Sequence, residues 1–313
     1  MTRYARAPST TLRALLAPGG LLSALLDRRA FTGLPLRADV HFREKDRVHT
    51  YCGLTRLIDV RLFRRGVRVR AHKTYSSQPC ADGLFRTWST DESGLAEKVD
   101  RYFAGVQIRP THVRAEGTVQ AAWAAVTNPW IPFDREAVLG YESTLARATA
   151  RSAEAVQAAR AAVARVARSD ATWAATSASK VSAELDQLAV DPSGRLVLLE
   201  LKHGRASAAS VYYSPLQLLQ YVHEWARAFD SVRADLRALI EARQAIGLSP
   251  VDMPALNGEL RPVIAFGSDL PSVEVRARLE EVRTIANRYL PVGVHPIEVW
   301  AVNASGRPVP TTT

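Results

Sequence analysis

Asp186 is followed, after 13 intervening residues, by Glu200-Leu201-Lys202, and then by Gln217 and Tyr221. Two carboxylates and an ammonium suit one kind of work. Hard carboxylate oxygens hold Mg²⁺ or Mn²⁺. Such a cation lowers the pKa of bound water and stabilises the charge that develops on a phosphoryl group under attack. An ammonium beside it orients the water or neutralises the transition state. Gln217 and Tyr221 add neutral hydrogen-bonding groups near the phosphate or the metal. The chemistry open to this set is phosphodiester hydrolysis. An acid-x-Lys triplet by itself is common at strand and helix ends, so its weight comes from the residues around it.

The elements must bring these groups together. Residues 195–201 form an apolar run of the kind a buried strand uses. Residues 183–190 read as a second strand, and Asp191-Pro192-Ser193-Gly194 between them is a strong turn signal. That hairpin lays Asp186 beside Glu200. Glu200 and Lys202 are two apart, so both project from one side of a strand. Glu184 shares the face of Asp186. Ser214-Pro215 opens a helix, with Ser as N-cap and Pro at the first helical position. It is expected to run to about Arg243, and Gln217 and Tyr221, four apart, share one of its faces. Residues 135–168, rich in Ala, Arg and Glu, read as one long helix, and 171–181 as a weak strand. A strand over 262–267, an amphipathic helix over 273–289 and a strand over 297–302 follow. Such alternation predicts an α/β fold.

These residues resemble the PD-(D/E)xK nuclease superfamily, in which an Asp and an (Asp/Glu)-x-Lys occupy adjacent strands. Gln217-Leu218-Leu219-Gln220-Tyr221 is similar to the QxxxY helix motif of its RecB-type branch. The resemblance covers about residues 135–302 and leaves 1–130 untouched. It implies a restriction-endonuclease-like core, a central mixed sheet flanked by helices. It further implies that Asp186, Glu200 and the main-chain carbonyl of Leu201 hold the metal, that Lys202 is the catalytic lysine, and that Gln217 and Tyr221 support the active site. A further Glu on the first helix belongs to the pattern; Glu142, after Gly140-Tyr141, fits it better than Glu154. Asp186 follows Glu184-Leu185 and not a Pro, which departs from the motif's name.

The chain has 313 residues and a formal net charge of +10. Residues 1–130 carry 21 Lys and Arg against 11 Asp and Glu, whereas 131–313 carry 20 of each. A basic excess confined to one part points to a polyanion, most simply nucleic acid. The bland alternative is a solvated Arg-rich surface. Pro110, Asn128-Pro129 and Ile131-Pro132 mark a boundary, giving a basic α+β domain over 1–130 and a nuclease-like domain over 131–313. Strands are expected within 38–75, where the arms 57–63 and 67–75 flank Arg64-Arg65-Gly66 as a hairpin. Arg68, Arg70 and His72 alternate with Val67, Val69 and Ala71, so the cations share a face. Arg64, Arg65, Arg68, Arg70 and Lys73 are the expected nucleic-acid-binding residues. A helix over 91–104 is expected to be capped by Asp91.

Cys52 and Cys80 form no CxxC and have no His cluster beside them, which argues against zinc and for two thiols in a reducing cytoplasm. No apolar run approaches the roughly 18 residues of a membrane span. Residues 12–26 imitate a targeting segment after Arg3, Arg6 and Arg13, but Pro18-Gly19-Gly20 interrupts them, and two short helices are expected instead. There is no P-loop, GxGxxG, GxSxG or HExxH.

The expectation is a Mg²⁺- or Mn²⁺-dependent deoxyribonuclease whose N-terminal part grips or selects DNA. RNA, a homodimer and a partner protein stay open. The competing readings are a non-catalytic nucleic-acid-binding or assembly protein on an inactivated nuclease fold, and a plain hairpin in some other α/β enzyme. Tyr212-Tyr213 suits base stacking or a core, and His203 suits catalysis or a strand end.

Overall fold

The computed structural model describes residues 3–26, 39–113, 115–126, 129–140, 154–170, 172–174, 184–303 and 307–311. The chain divides into two compact units: Ala5–Ala125 with Asp235–Asp252, and Met1–Tyr4 with Val126–Ala234 and Met253–Thr313.

In the first of these, helix α1 (Thr10–Leu16) is capped by Ser9, whose hydroxyl accepts the Leu12 N–H at 3.2 Å. A short 3₁₀ turn, Ser23–Leu26, follows, so the interrupted apolar segment does form two short helical pieces. Strands β1 (Asp39–Glu44), β2 (Arg47–Cys52), β3 (Thr55–Phe63), β4 (Gly66–Arg70) and β5 (Thr87–Trp88) pair antiparallel in chain order. Alternation explains the sheet. Val40, Phe42, Val48, Ile58, Val60, Val67 and Val69 are buried on one face, the apolar side that the alternation of an antiparallel sheet packs on its core. Gly66 completes the β3–β4 hairpin at φ +149°, where an added Cβ would meet the Trp88 carbonyl oxygen at 2.0 Å.

The strand expected to reach Tyr75 stops at Arg70, because residues 73–76 turn into helix α2 (Lys73–Ser76) behind His72. Helix α3 (Leu95–Gly105) buries Leu95, Val99, Tyr102 and Phe103 as one stripe, the helical period of a core-facing surface. Its cap is Gly94, not Asp91, whose carboxylate bonds Ser89 instead. Helices α4 (Pro110–Val113) and α5 (Glu116–Ala124) complete the N-terminal part.

The other unit is built on a six-stranded sheet of β6 (Ile131–Ala137), β7 (Leu185–Val190), β8 (Leu196–Lys202), β9 (Leu260–Phe266), β10 (Glu298–Val302) and β11 (Pro308–Pro310). Its order is β11-β10-β9-β8-β7-β6. Strands β8, β9 and β10 run parallel, and the pairs β6·β7, β7·β8 and β10·β11 are antiparallel. The chain is thus α/β, with a mixed sheet beside helices α6 (Glu154–Arg168), α7 (Ala208–Tyr212), α8 (Ser214–Ala245) and α9 (Val273–Asn287).

Two sequence expectations change here. Residues 135–137, expected to begin the long helix over 135–168, are instead the end of edge strand β6, and helix α6 covers Glu154–Arg168. The Ala, Arg and Glu content favours a helix, but pairing with β7 overrides it, and Pro132 is tolerated because β6 lies at the sheet edge. Of the weak strand expected over 171–181, only 172–174 fall within the described residues. Strand β8 is buried along its whole length up to Lys202, the mark of a central strand covered on both faces.

Candidate active site

The β7–β8 hairpin places the predicted acids. Its register pairs Gln187 with Leu199 and Leu188 with Leu198, and one further step sets Asp186 opposite Glu200. Directly opposed residues of an antiparallel pair share a face, so Asp186, Glu200 and Lys202 lie on one side of the sheet. The turn that fixes this register is well built. Asp191 Oδ1 accepts the N–H groups of Ser193 at 2.9 Å and Arg195 at 3.0 Å. Gly194 takes φ +80°, and a Cβ there would meet the Ala255 carbonyl oxygen at 2.2 Å.

At the other end of the hairpin the ladder opens. The Leu201 N–H donates to the Asp186 carboxylate at 2.7 Å. In a strand a residue's N–H and C=O point to the same neighbour, so the Leu201 carbonyl is directed to the side of Asp186. Glu200 is almost fully buried, its side chain 2% exposed, and the Lys202 ammonium reaches its Oε1 at 2.5 Å. Lys202 itself is 15% exposed. A buried carboxylate requires such a counter-charge.

Gln217 and Tyr221 occupy one face of α8, as expected, but they turn to the protein. Tyr221 is 1% exposed, and its hydroxyl donates to the Glu184 carbonyl at 2.9 Å. The Gln217 amide donates to the Tyr221 oxygen at 3.4 Å. This pair therefore pins the residue just before β7. Glu184 is exposed, and its carbonyl, not its carboxylate, makes that contact. Glu142 lies outside the described residues, and Glu154 is exposed at the start of α6. His203 is half-buried directly after Lys202.

Tyr212 is buried in the core and Tyr213 is part-exposed, and both hydroxyls are held by the backbone of Ala174. The Tyr212 hydroxyl accepts the Ala174 N–H at 2.9 Å and the Tyr213 hydroxyl donates to the Ala174 carbonyl at 2.8 Å. Burial raises the Tyr213 phenol to about 12. Trp173 packs against both rings, and Arg278 lies over Trp173 and Tyr212.

The expected nucleic-acid residues Arg64, Arg65, Arg68, Arg70 and Lys73 are all exposed. Sequence reasoning missed two buried polar groups. One is the cluster of Asp191 Oδ2 with Arg195 at 2.5 Å and Arg261 at 3.1 Å; Arg261 also forks onto Glu298 with two contacts of 2.8 Å. The other lies on β2 and β3, where Asp59 receives Arg47 bidentately and His49 touches the Tyr51 hydroxyl at 2.9 Å. Burial pushes the Asp59 carboxyl up, but the bonds from His49 and Arg47 outweigh it and hold the group well below the usual carboxylate range. Alternating polar residues on these strands were the available signal.

Among the described residues no three His, Cys, Asp or Glu side chains converge as a metal-binding group. Cys52 and Cys80 are not joined in a disulfide. No described helix is long and apolar enough to cross a membrane. Comparison with protein-family models, with curated proteins and with solved structures returns no match.

Proposed function

We infer that the chain is a Mg²⁺- or Mn²⁺-dependent nuclease that hydrolyses DNA phosphodiester bonds. The observation that carries this reading is the shared sheet face of Asp186, Glu200 and Lys202 at the open end of the β7–β8 hairpin. Helix α6, the β7–β8 hairpin, helix α8, the parallel strand β9, helix α9 and β10 succeed one another along the chain, with β6 ahead of them, and the similarity of this succession to a restriction-endonuclease-like core supports the same reading.

The donor set fits a hard divalent cation. Mg²⁺ keeps several waters and needs only one or two protein carboxylates. Asp186 and Glu200 supply two, and the Leu201 carbonyl is directed to the same side. When bound, the metal would supply an activated water and charge relief on the phosphate. The chain's own residues have separate tasks. The Leu201 N–H orients Asp186. Lys202 sets its ammonium against the buried Glu200 carboxylate and, part-exposed, offers positive charge to a phosphate. Tyr221 and Gln217 are positioning residues that hold the entry to β7. The basic N-terminal part grips the substrate.

The alternative, a binding protein on an inactivated fold, draws on the Glu200–Lys202 ion pair, which neutralises the acid internally. Cleavage of labelled single-stranded and duplex DNA in Mg²⁺, Mn²⁺ and EDTA separates the two. Glu200→Gln keeps the side-chain shape, whereas Lys202→Met takes the ammonium away from a buried carboxylate, so both variants are needed. Each is expected to lose about 100-fold or more of the cleavage rate while keeping its circular dichroism and its DNA binding. Wild type that never cleaves with metal, or variants that cleave like wild type, would overturn the nuclease reading.

A further inference from the structure

The polar face of the N-terminal sheet, buried around His49 and Asp59 and exposed at the ends of β3 and β4, carries a cross-strand row of arginines. The register sets Arg47 opposite Arg61 and Arg61 opposite Arg68. Like charges directly opposite one another on adjacent strands are destabilising. Arg47 is answered by Asp59, through contacts of 3.0 and 2.8 Å. Arg61 and Arg68 are exposed and form no ion pair among the described residues, and the same holds for Arg64, Arg65 and Arg70. Arg70 stands opposite Asp59 in the register, but that carboxylate is already forked by Arg47.

An aromatic ring sits among these cations. Phe63, at the end of β3, is 40% exposed. The guanidinium carbons of Arg68 and Arg61 lie 4.8 and 5.6 Å from its ring centroid. The ring is thus held at the surface by cations and not drawn into the core. The Arg61 and Arg68 end of the row, left without acids around an exposed ring, is a surface whose missing negative charge comes from a ligand.

The shape of the surface narrows that ligand. The major groove of duplex DNA admits a helix or a two-stranded ribbon, and this face belongs to a five-stranded sheet. Unpaired bases stack on aromatic rings and guanidinium planes while arginines follow the backbone. We propose that the β3–β4 face centred on Arg61, Phe63 and Arg68 is a platform for single-stranded nucleic acid. This rests on the reading of nucleic acid as the substrate and adds its strandedness.

Fluorescence anisotropy of the full chain in EDTA, with a labelled single-stranded oligonucleotide and with its duplex, tests the platform apart from cleavage. Wild type should prefer the single strand. Phe63→Ala should weaken single-strand binding roughly 5- to 100-fold, the effect of losing one stacked base, and leave duplex binding unchanged. Arg68→Gln should also weaken it and reduce its salt dependence. Both sites are exposed, and circular dichroism checks that the fold is kept. The platform is overturned if wild type prefers duplex, or if both variants bind the single strand like wild type. Single-strand binding through Phe63 without any metal-dependent cleavage would sink the nuclease reading and leave the platform standing. Cleavage lost in Glu200→Gln, with binding and rate untouched by Phe63→Ala, would do the reverse.

Discussion

Asp191 shows how one residue ties the hairpin to the rest of its sheet. Its side chain is fully buried and accepts two backbone N–H groups and two arginines. Burial pushes its carboxyl up, but the bonds from Arg195 and Ser193 outweigh that and lower it. Glu298 is lowered in the same way, against burial, by Arg261 and Trp300. The sign follows. A carboxyl whose folded pKa lies below its unfolded value of about 4 adds stability at neutral pH, and this is lost as pH falls through the acid range. Wild type should therefore lose stability progressively below about pH 5. Asp191→Asn should cost about 3 kcal/mol at pH 7, since it breaks a buried ion pair, and the gap to wild type should narrow as pH falls. Denaturant titrations at a series of pH values measure both. Parallel curves for the two proteins would show that Asp191 does not carry this linkage. The sequence marked Asp191 only as a turn former, because Arg261 is 70 residues away and nothing local announces it.

At the scale of elements, α8 is the support for β7. Its Tyr221 hydroxyl is the donor to the Glu184 carbonyl, one residue before the strand begins. Tyr221→Phe removes that donor and should cost about 1–2 kcal/mol, since a part-buried carbonyl loses its partner. Under the nuclease reading it should also lower turnover roughly 10-fold and raise the Mg²⁺ concentration for half-maximal rate, as loss of an outer support does, with KM for DNA unchanged. A shift in thermal midpoint alone would leave Tyr221 a packing residue. The hairpin, the helix at Ser214-Pro215 and the arginine alternation on β4 were all legible, because each is written in local period and turn chemistry, although Ser214 is the first helical residue and its hydroxyl donates to the Val211 carbonyl at 2.6 Å instead of capping. The end of strand β6 was not, because Arg135-Glu136-Ala137 reads as helix and only pairing with β7 decides otherwise. The pinning role of Tyr221 was hidden for a related reason: spacing gives the shared helix face but not the atom it bonds.

At the scale of the molecule, charge is distributed unevenly between the two units. The unit holding the arginine row carries 22 Lys and Arg against 14 Asp and Glu, and the unit holding Asp186 and Glu200 carries 19 against 17. Under the proposed function, counterion release makes this division measurable. The logarithm of single-strand affinity falls with the logarithm of salt by about 0.7 for each phosphate neutralised. If Arg61, Arg64, Arg65, Arg68 and Arg70 each meet a phosphate, the slope should be about −3.5. Replacing Arg64 and Arg65 together by Gln should flatten it by about 1.4. Replacing two exposed arginines of the other unit, Arg168 and Arg227, should leave it unchanged. Anisotropy titrations across a salt series give each slope directly. Equal flattening by both pairs would mean that the whole molecule binds as a diffuse cation, and the basic sheet would then have no claim to hold the strand.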